Sequence, residues 1–299
     1  MFRPRSDAVP MKWSAMPRLS ARDALAVTVQ PVLLLAVAAV FLLTEGRGWD
    51  PGRAVLLFQF SVLGYLVLLE FLIPYDRSWQ PGRREWGWYG VYYVLTALGG
   101  TLGQGLVLYA VGKVARRDPW LPLWAEIPVA LLLGSLASYV VHRAGHTYAW
   151  LWRLHGVHHV PTKVNVGNNG VNHVLDVVIS QGFVQLALAL VGFSGRAVFA
   201  VGLFVVAQGY FVHANIRVRL GRLGHVFAGP EQHRLHHSTD LSEAGHYASD
   251  LSVWDRVFGT FTWRPGREPE SVGLTDPASF PDTGAVLATL VHPWRRPAG

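Results

Sequence analysis

The sequence predicts an all-α integral membrane bundle: about four spanning helices plus a partly inserted helical hairpin, carrying a cytoplasmic histidine-rich metal-binding cap. Three observations predict it. Hydrophobic residues fill 51% of the 299 positions and charged residues only 15%, with twelve tryptophans, an apolar excess over ordinary soluble domains. The apolar residues gather into runs of about 20, and at 1.5 Å per residue a helix of that length covers the roughly 30 Å hydrocarbon layer. Ten of the thirteen histidines stand in a regular pattern at or beyond the ends of those runs.

The spans follow in order. Residues 24–43 carry no charge, and neither do 89–112; 54–74 are apolar apart from Glu70, and 121–141 apart from Glu126. Residues 174–212 read as a helical hairpin, broken at Gly192-Phe193-Ser194-Gly195, with Asp176 near its start and partial insertion expected. The stretch 1–23 is interrupted by prolines and charges before any apolar core begins, so the first run is expected to be an anchor and not a cleaved signal. A membrane unit is therefore expected over 24–265, between an N-terminal segment, 1–23, and a C-terminal tail, 266–299.

Basic residues near helix ends are retained in the cytoplasm. Arg3, Arg5, Lys12, Arg18 and Arg22 put the N-terminus there, and Arg77, Arg83 and Arg84 agree after the second span. Lys113, Arg116 and Arg117 would lie outside, as the exception. An even number of crossings brings all ten histidines to the cytoplasmic side of the cell membrane. The chain has no cysteine, which excludes disulfides, iron–sulfur ligation and thiolate zinc sites. The net charge of +7 suits anionic headgroups. Scattered arginines without a basic stripe argue against nucleic acid.

The histidines form three clusters: His142-x-x-x-His146, His155-x-x-His158-His159 and His233-x-x-His236-His237. At the chain's average frequency these fifteen positions would hold fewer than one histidine; they hold eight. On a helix, positions i, i+3 and i+4 share a face, so each cluster is expected to aim its imidazoles at a common point. The duller reading is a pH-sensing patch, but so many imidazoles would repel one another on protonation. His173 and His213 cap the two ends of the hairpin beside the clusters and join them as candidate metal ligands. His225, His246 and His292 read as solvated or interfacial. Ten imidazoles exceed what one tetrahedral ion uses, so two ions are expected.

Imidazole alone suits iron, zinc and copper. A site at the membrane face is placed to act on something dissolved in the bilayer, where unactivated C–H bonds call for an oxidant made from dioxygen. Zinc has no redox chemistry. A zinc-dependent membrane hydrolase would need a nearby acid or base, for which Glu231 is the one carboxylate adjoining a cluster. A non-catalytic metal or haem carrier is the other alternative. Asp176, Glu231, Asp240, Glu243 and Asp250 are candidates to orient the histidines; Asp255 could do so or cap a backbone segment. Arg143 and Arg234 are expected to meet headgroups or carboxylates.

Three stretches resemble the histidine boxes of the fatty acid hydroxylase/sterol desaturase superfamily: His-Arg-Ala-Gly-His (142–146), Leu-Trp-Arg-Leu-His-Gly-Val-His-His (151–159) and Gly-Pro-Glu-Gln-His-Arg-Leu-His-His-Ser (229–238). Phe-Val-His-Ala-Asn (211–215), Trp-Asp-Arg-Val-Phe-Gly-Thr-Phe (254–261) and Glu-Phe-Leu-Ile-Pro (70–74) are also similar to that family, so the likeness covers about 55–265. It departs at His246-Tyr247-Ala248, where members often carry Asn-Tyr-Gly, and at His225. The resemblance implies a non-haem di-iron enzyme using O2, which hydroxylates or desaturates a sterol, fatty acyl chain or related lipid. Its two irons would be held by His142, His146, His155, His158, His159, His233, His236 and His237, with His173 and His213 beside them. Electrons would come from a separate ferredoxin-like or cytochrome b5-like protein with its reductase.

Overall fold

A computed structural model describes residues 20–111 and 121–295. The basic residues of 1–19, and Lys113, Arg116 and Arg117, lie outside the described residues. The described chain is built from α1 (Ala21–Arg47), α2 (Pro51–Leu72), α3 (Arg83–Val111), α4 (Leu123–Thr147), α5 (Ala149–His155), α6 (Val174–Val191), α7 (Gly195–His213), α8 (Pro230–His236), α9 (Val253–Val257) and α10 (Val286–Val291), joined by loops and short 3-10 turns. No strand occurs among the described residues, only isolated bridges.

Six of these helices, α1 to α4, α6 and α7, are long and apolar enough to cross a membrane. They overlie the predicted runs and extend several of them. Both hairpin arms reach this length, at 18 and 19 residues, or about 27–29 Å at the α-helical rise. Leu35, Leu57, Phe60, Leu98, Leu108 and Leu190 point outward from them and are more than half exposed, a ring of apolar side chains that lipid would cover and water would not. The protein is an all-α integral membrane bundle.

Local chemistry sets the helix limits. Ser20 and Asp50 cap α1 and α2, each accepting a backbone N–H three residues on, and Pro51 opens α2 where no N–H is needed. The predicted break in the hairpin is a capped turn: Gly192 takes a left-handed φ of 81°, then Ser194 caps α7. Glu126, the charge at the start of the fourth run, is buried because it accepts both the Ser194 amide and hydroxyl at 2.6 Å.

The two arms differ in burial. Helix α7 is central, with 61% of its apolar stretch buried against 11% for α6. It packs on α1, α2 and α4 and is tied to the first two by Gln30–Gln208 at 2.7 Å and Gln59–Tyr210 at 2.8 Å. Helix α6 lies against α3 at a stripe of small residues. A Cβ on Gly99 would stand 2.8 Å from the Val174 carbonyl, and one on Gly103 would stand 3.0 Å from that of Val178, so backbone contact there requires glycine.

The start of α1, the end of α2, the start of α3, the end of α4, the start of α6 and the end of α7 all meet at one end of the bundle, where the remaining chain folds into a cap. Beyond residue 265 the chain stays on that cap: Leu274 and Phe280 pack with Tyr89, Tyr92, Val157 and Val171, and α10 brings Thr289 to the Tyr92 hydroxyl at 3.3 Å.

Candidate metal centre

Helix α4 runs past its apolar stretch and carries His142 and His146 on its last turns. Tyr148 is extended, which breaks the helix and turns α5 back toward α4. His155 ends α5, and His158 and His159 follow on a 3-10 turn. Gly145 makes room for this return, since a Cβ there would stand 3.1 Å from the His155 ring. Helix α8 presents His233 and His236, with His237 at its C-cap, and His213 closes α7.

Nine of the ten candidate histidines gather into two groups. The first holds His142, His146, His155, His159 and His236; the second holds His158, His213, His233 and His237. Within each group, one ligand atom per residue lies within 4.8 Å of all the others. The groups share a wall, with the His159 and His237 rings stacked at 4.2 Å between centroids. The expectation that each cluster aims at a single point is corrected. The i, i+4 pairs 142/146, 155/159 and 233/237 stay together, whereas the i+3 members His158 and His236 cross to the opposite group. On a helix, adjacent positions such as 158 and 159 diverge by about 100°, so three imidazoles from one cluster serve two points.

His173 stands apart from both groups. Its Nδ1 accepts the Leu175 amide, capping α6, and its Nε2 lies 3.2 Å from the Leu290 carbonyl. His246 is fully buried, not interfacial: its Nε2 accepts the amides of Thr262 and Trp263 at 3.0 and 2.8 Å. Burial pushes its proton affinity down to about 4. It is also the one non-glycine at positive φ among the described residues, 59°, a left-handed geometry that Asn and His tolerate better than most residues.

The residues fit metal binding. In the first group all five Nε2 atoms are buried without a hydrogen-bond partner, a costly arrangement for nitrogen acceptors unless something coordinates them. In the second group the Nε2 atoms of His158 and His213 stand 2.9 Å apart, and those of His233 and His237 3.1 Å apart. Neighbouring nitrogens on one ion are separated by roughly 3.0–3.4 Å when each bond is about 2.1 Å long. The far ring nitrogens are held from behind. His142 Nδ1 meets the Tyr247 carbonyl at 2.6 Å, His236 that of Gly245 at 2.9 Å and His158 that of Val171 at 3.1 Å. His155 Nδ1 meets Asp176 at 3.1 Å, and His213 Nδ1 meets the Asn168 side-chain oxygen at 3.1 Å. A carbonyl or carboxylate can only accept, so each Nδ1 carries the proton and each Nε2 keeps its lone pair. Burial pushes His158 down to about 4 and His236 to about 3, and holds His159, His233 and His237 well below the usual range. These rings are neutral near pH 7, as ligation requires.

Of the five carboxylates considered as orienting groups, only Asp176 touches a candidate ligand. Asp255 caps backbone: it accepts the amides of Tyr247 and Ala248 at 2.8 and 3.0 Å, fixing the segment whose carbonyl holds His142. Asn168 and the carbonyls of Val171, Gly245 and Tyr247 were not foreseen. Carbonyls leave no trace in a sequence, but Asn165 and Asn168, which cap each other's backbone, are a turn signal that marks the loop. Glu70 anchors that loop, accepting the amides of Val166 and Asn215 at 2.7 and 2.8 Å.

A cavity of about 330 Å³ opens between α4, α6 and α7 and reaches both groups, with His142, His155, His158, His213 and His233 on its wall. Val177, Val184, Val205 and Val206 line the part inside the bundle, and Asp250, bonded to the Ser135 hydroxyl at 2.5 Å, faces it as well.

The family model for fatty acid hydroxylase matches residues 127–260, which contain all ten candidate histidines. An ornithine lipid hydroxylase of Rhizobium tropici is 30% identical over 60% of this chain and 53% of its own length. Alkylglycerol monooxygenases of Homo sapiens and Xenopus tropicalis are 31% and 30% identical, each over 53% of this chain and 35% of the relative. The chain thus spans about half to a third of the curated relatives it matches. No solved structure matches it. The two histidine groups, the boxes that build them and these likenesses agree: over residues 127–260 the chain is similar to the fatty acid hydroxylase/sterol desaturase superfamily.

Proposed function

We propose that the protein is an O2-dependent membrane oxidoreductase that hydroxylates a C–H bond of a lipid, with the two histidine groups each holding one iron. The cavity between α4, α6 and α7 carries this reading, because it gives an apolar chain a route from the bundle interior to both groups at once. The names of the relatives support a lipid hydroxylase, and a single mechanism accounts for nine convergent imidazoles. Two bound irons would supply the reductive activation of dioxygen that an unactivated C–H bond demands. The chain's own residues do the rest. His142, His146, His155, His159 and His236 form one ligand set and His158, His213, His233 and His237 the other; His173 holds the start of α6. Asp176 and Asn168 keep the protons of His155 and His213 on the outer nitrogens. The valines of the cavity seat the substrate chain and exclude water from the carbon being oxidised. Electrons come from a separate ferredoxin-like or cytochrome b5-like carrier.

The rivals fare worse on specific observations. Glu231, the base a zinc hydrolase would use, lines a different pocket together with Arg234. In a haem carrier the imidazoles themselves would fill the space a macrocycle needs. We further infer that the histidine cap and the N-terminus face the cytoplasm of the cell membrane. Arg22, Arg77, Arg83 and Arg84 flank the spans at that end, against Arg47, Arg53 and Arg196 at the other among the described residues. Residues 24–265 would be the catalytic unit, with 1–23 and 266–299 flanking it.

The test is lipid mass spectrometry of cells with and without the gene, coupled to metal analysis of the purified protein. A lipid gaining one oxygen only in air, with about two irons per chain, is expected; loss of two hydrogens instead would make the reaction a desaturation. Turnover without oxygen and reductant, or a protein that holds zinc and works with it, would sink the proposal. The chain's lack of cysteine makes orientation easy to check: single cysteines at Arg77 and Arg53 should react with an impermeant thiol reagent from opposite sides.

A further inference from the structure

A second pocket, about 500 Å³, lies at the same end of the bundle on the opposite side of α8 from the histidines. Its walls come from the first turn of α1, the end of α2 and the strand-like segment after α7. Arg22, Arg77, Arg217, Arg219 and Arg234 all face it. Asp23, Glu231 and Glu268 face it too, but Asp23 is already paired with Arg219 at 2.9 Å. Four guanidinium groups therefore remain against two carboxylates.

Arg234 is the informative residue. It is 3% exposed, its Nη1 has no hydrogen-bond partner, and no ion pair joins it to a carboxylate among the described residues. Its guanidinium lies over the Tyr75 ring at 3.8 Å, with Arg217 near the same ring at 5.9 Å. Glu231 and Glu268 attract it from the same pocket but neither pairs with it directly, and a buried cation without a paired counter-charge is unfavourable. Stacking on an aromatic face offsets part of that cost and leaves the in-plane N–H fork free for an anion. Bidentate pairing of guanidinium with a phosphate supplies the missing partner.

We propose that this pocket binds a phosphate group through Arg234, with Arg217 and Arg77 closing on it from the rim. The phosphate could belong to an anionic lipid headgroup or be free in solution, and the position favours the lipid. The pocket sits where α1 begins and α2 ends, at the depth of the headgroup layer, and Ala26, Leu72, Ile73 and Val218 give it an apolar wall along which an acyl chain would run. Arg234 follows His233 directly, so the bound phosphate would brace α8 from behind.

The full chain, purified in neutral detergent, is titrated with phosphatidylglycerol and separately with inorganic phosphate while thermal unfolding is followed. Phosphatidylglycerol raises the midpoint of the wild type and of an Arg47→Gln/Arg53→Gln control at the far end of the bundle. The Arg77→Gln/Arg217→Gln variant, whose changes are at exposed rim positions, needs about tenfold more lipid for the same rise, and Arg234→Gln gives none. A rise with inorganic phosphate and none with lipid assigns the site to the free anion. No rise with either probe, or a rim variant that responds like the wild type, overturns the proposal; the rim variant decides the matter even if Arg234→Gln does not fold.

Discussion

The five-histidine group draws on all three sequence clusters and the four-histidine group on two of them plus His213, and the two are supported from different parts of the chain. Behind the five stand Asp176 and the carbonyls of Gly245 and Tyr247, and the latter is fixed in turn by Asp255. That support comes from the first turn of α6 and from the cap segment 245–255. Behind the four stand Asn168 and the Val171 carbonyl, in a loop that Glu70 anchors to the end of α2. The four are all buried, whereas His142 and His146 on α4 are only half-buried. Two neighbouring centres can thus be tuned, and damaged, separately, because orientation comes from behind the rings and not from the cluster that supplies them.

The largest effects come from the rings that meet between the groups. His159→Ala and His237→Ala should each lower activity by more than about a hundredfold, and metal analysis should find each variant short of one ion while keeping the other. Loss of both ions from either variant would mean that the groups do not load independently.

Changes behind the rings should cost less and remain selective. Asp176→Asn is expected to weaken metal binding about 10–100-fold in the five-histidine group alone, and Asn168→Ala to do the same for the four. Spectra of the two variants loaded with cobalt would separate the sites, and identical spectra would refute the division of support drawn above. Glu70→Ala leaves the buried amides of Val166 and Asn215 without the one oxygen that accepts both and should reduce stability by about 1–3 kcal/mol, read as a lower unfolding midpoint. The weaker ligation should fall on the four-histidine group, since that is the loop Glu70 holds.

Protonation tests both groups together. Burial lowers His158 to about 4 and His236 to about 3, so the folded protein refuses protons that the unfolded chain takes up below about 6.5. The metal-free protein should keep its full stability above that pH and lose it progressively as pH falls through 4 toward 3. A flat unfolding midpoint over that range would mean that the rings are hydrated and not buried. The smallest effect is expected of Gly145→Ala, which pushes on the His155 ring by a few tenths of an ångström. Activity should drop less than about tenfold, with the four-histidine group unaffected.

The unequal hairpin arms carry a related lesson about legibility. Both read alike in sequence, as apolar runs of similar length, but α7 is enclosed by three helices while α6 packs on two, α3 and α4, and keeps most of its side chains only half-buried. Hydropathy reports that a segment leaves water; it cannot report whether lipid or protein receives it. Likewise Arg234 and His246 read as surface residues and are both buried, because a short-range pattern carries no information about which distant loop will cover a side chain.

What the sequence determined by itself is whatever rests on local periodicity and chemical type: six apolar helices, their capped breaks, the same-side return of the hairpin, and nitrogen-only chemistry from clustered imidazoles in a chain without cysteine. Tertiary structure alone decided how those imidazoles divide into five and four, why His173 stands apart, and which carbonyl, amide or carboxylate fixes each ring. The physical reason is range. Helix phase and hydropathy act over a few residues, whereas a ligand's direction depends on hydrogen bonds that join positions far apart in the chain, such as His142 and Tyr247.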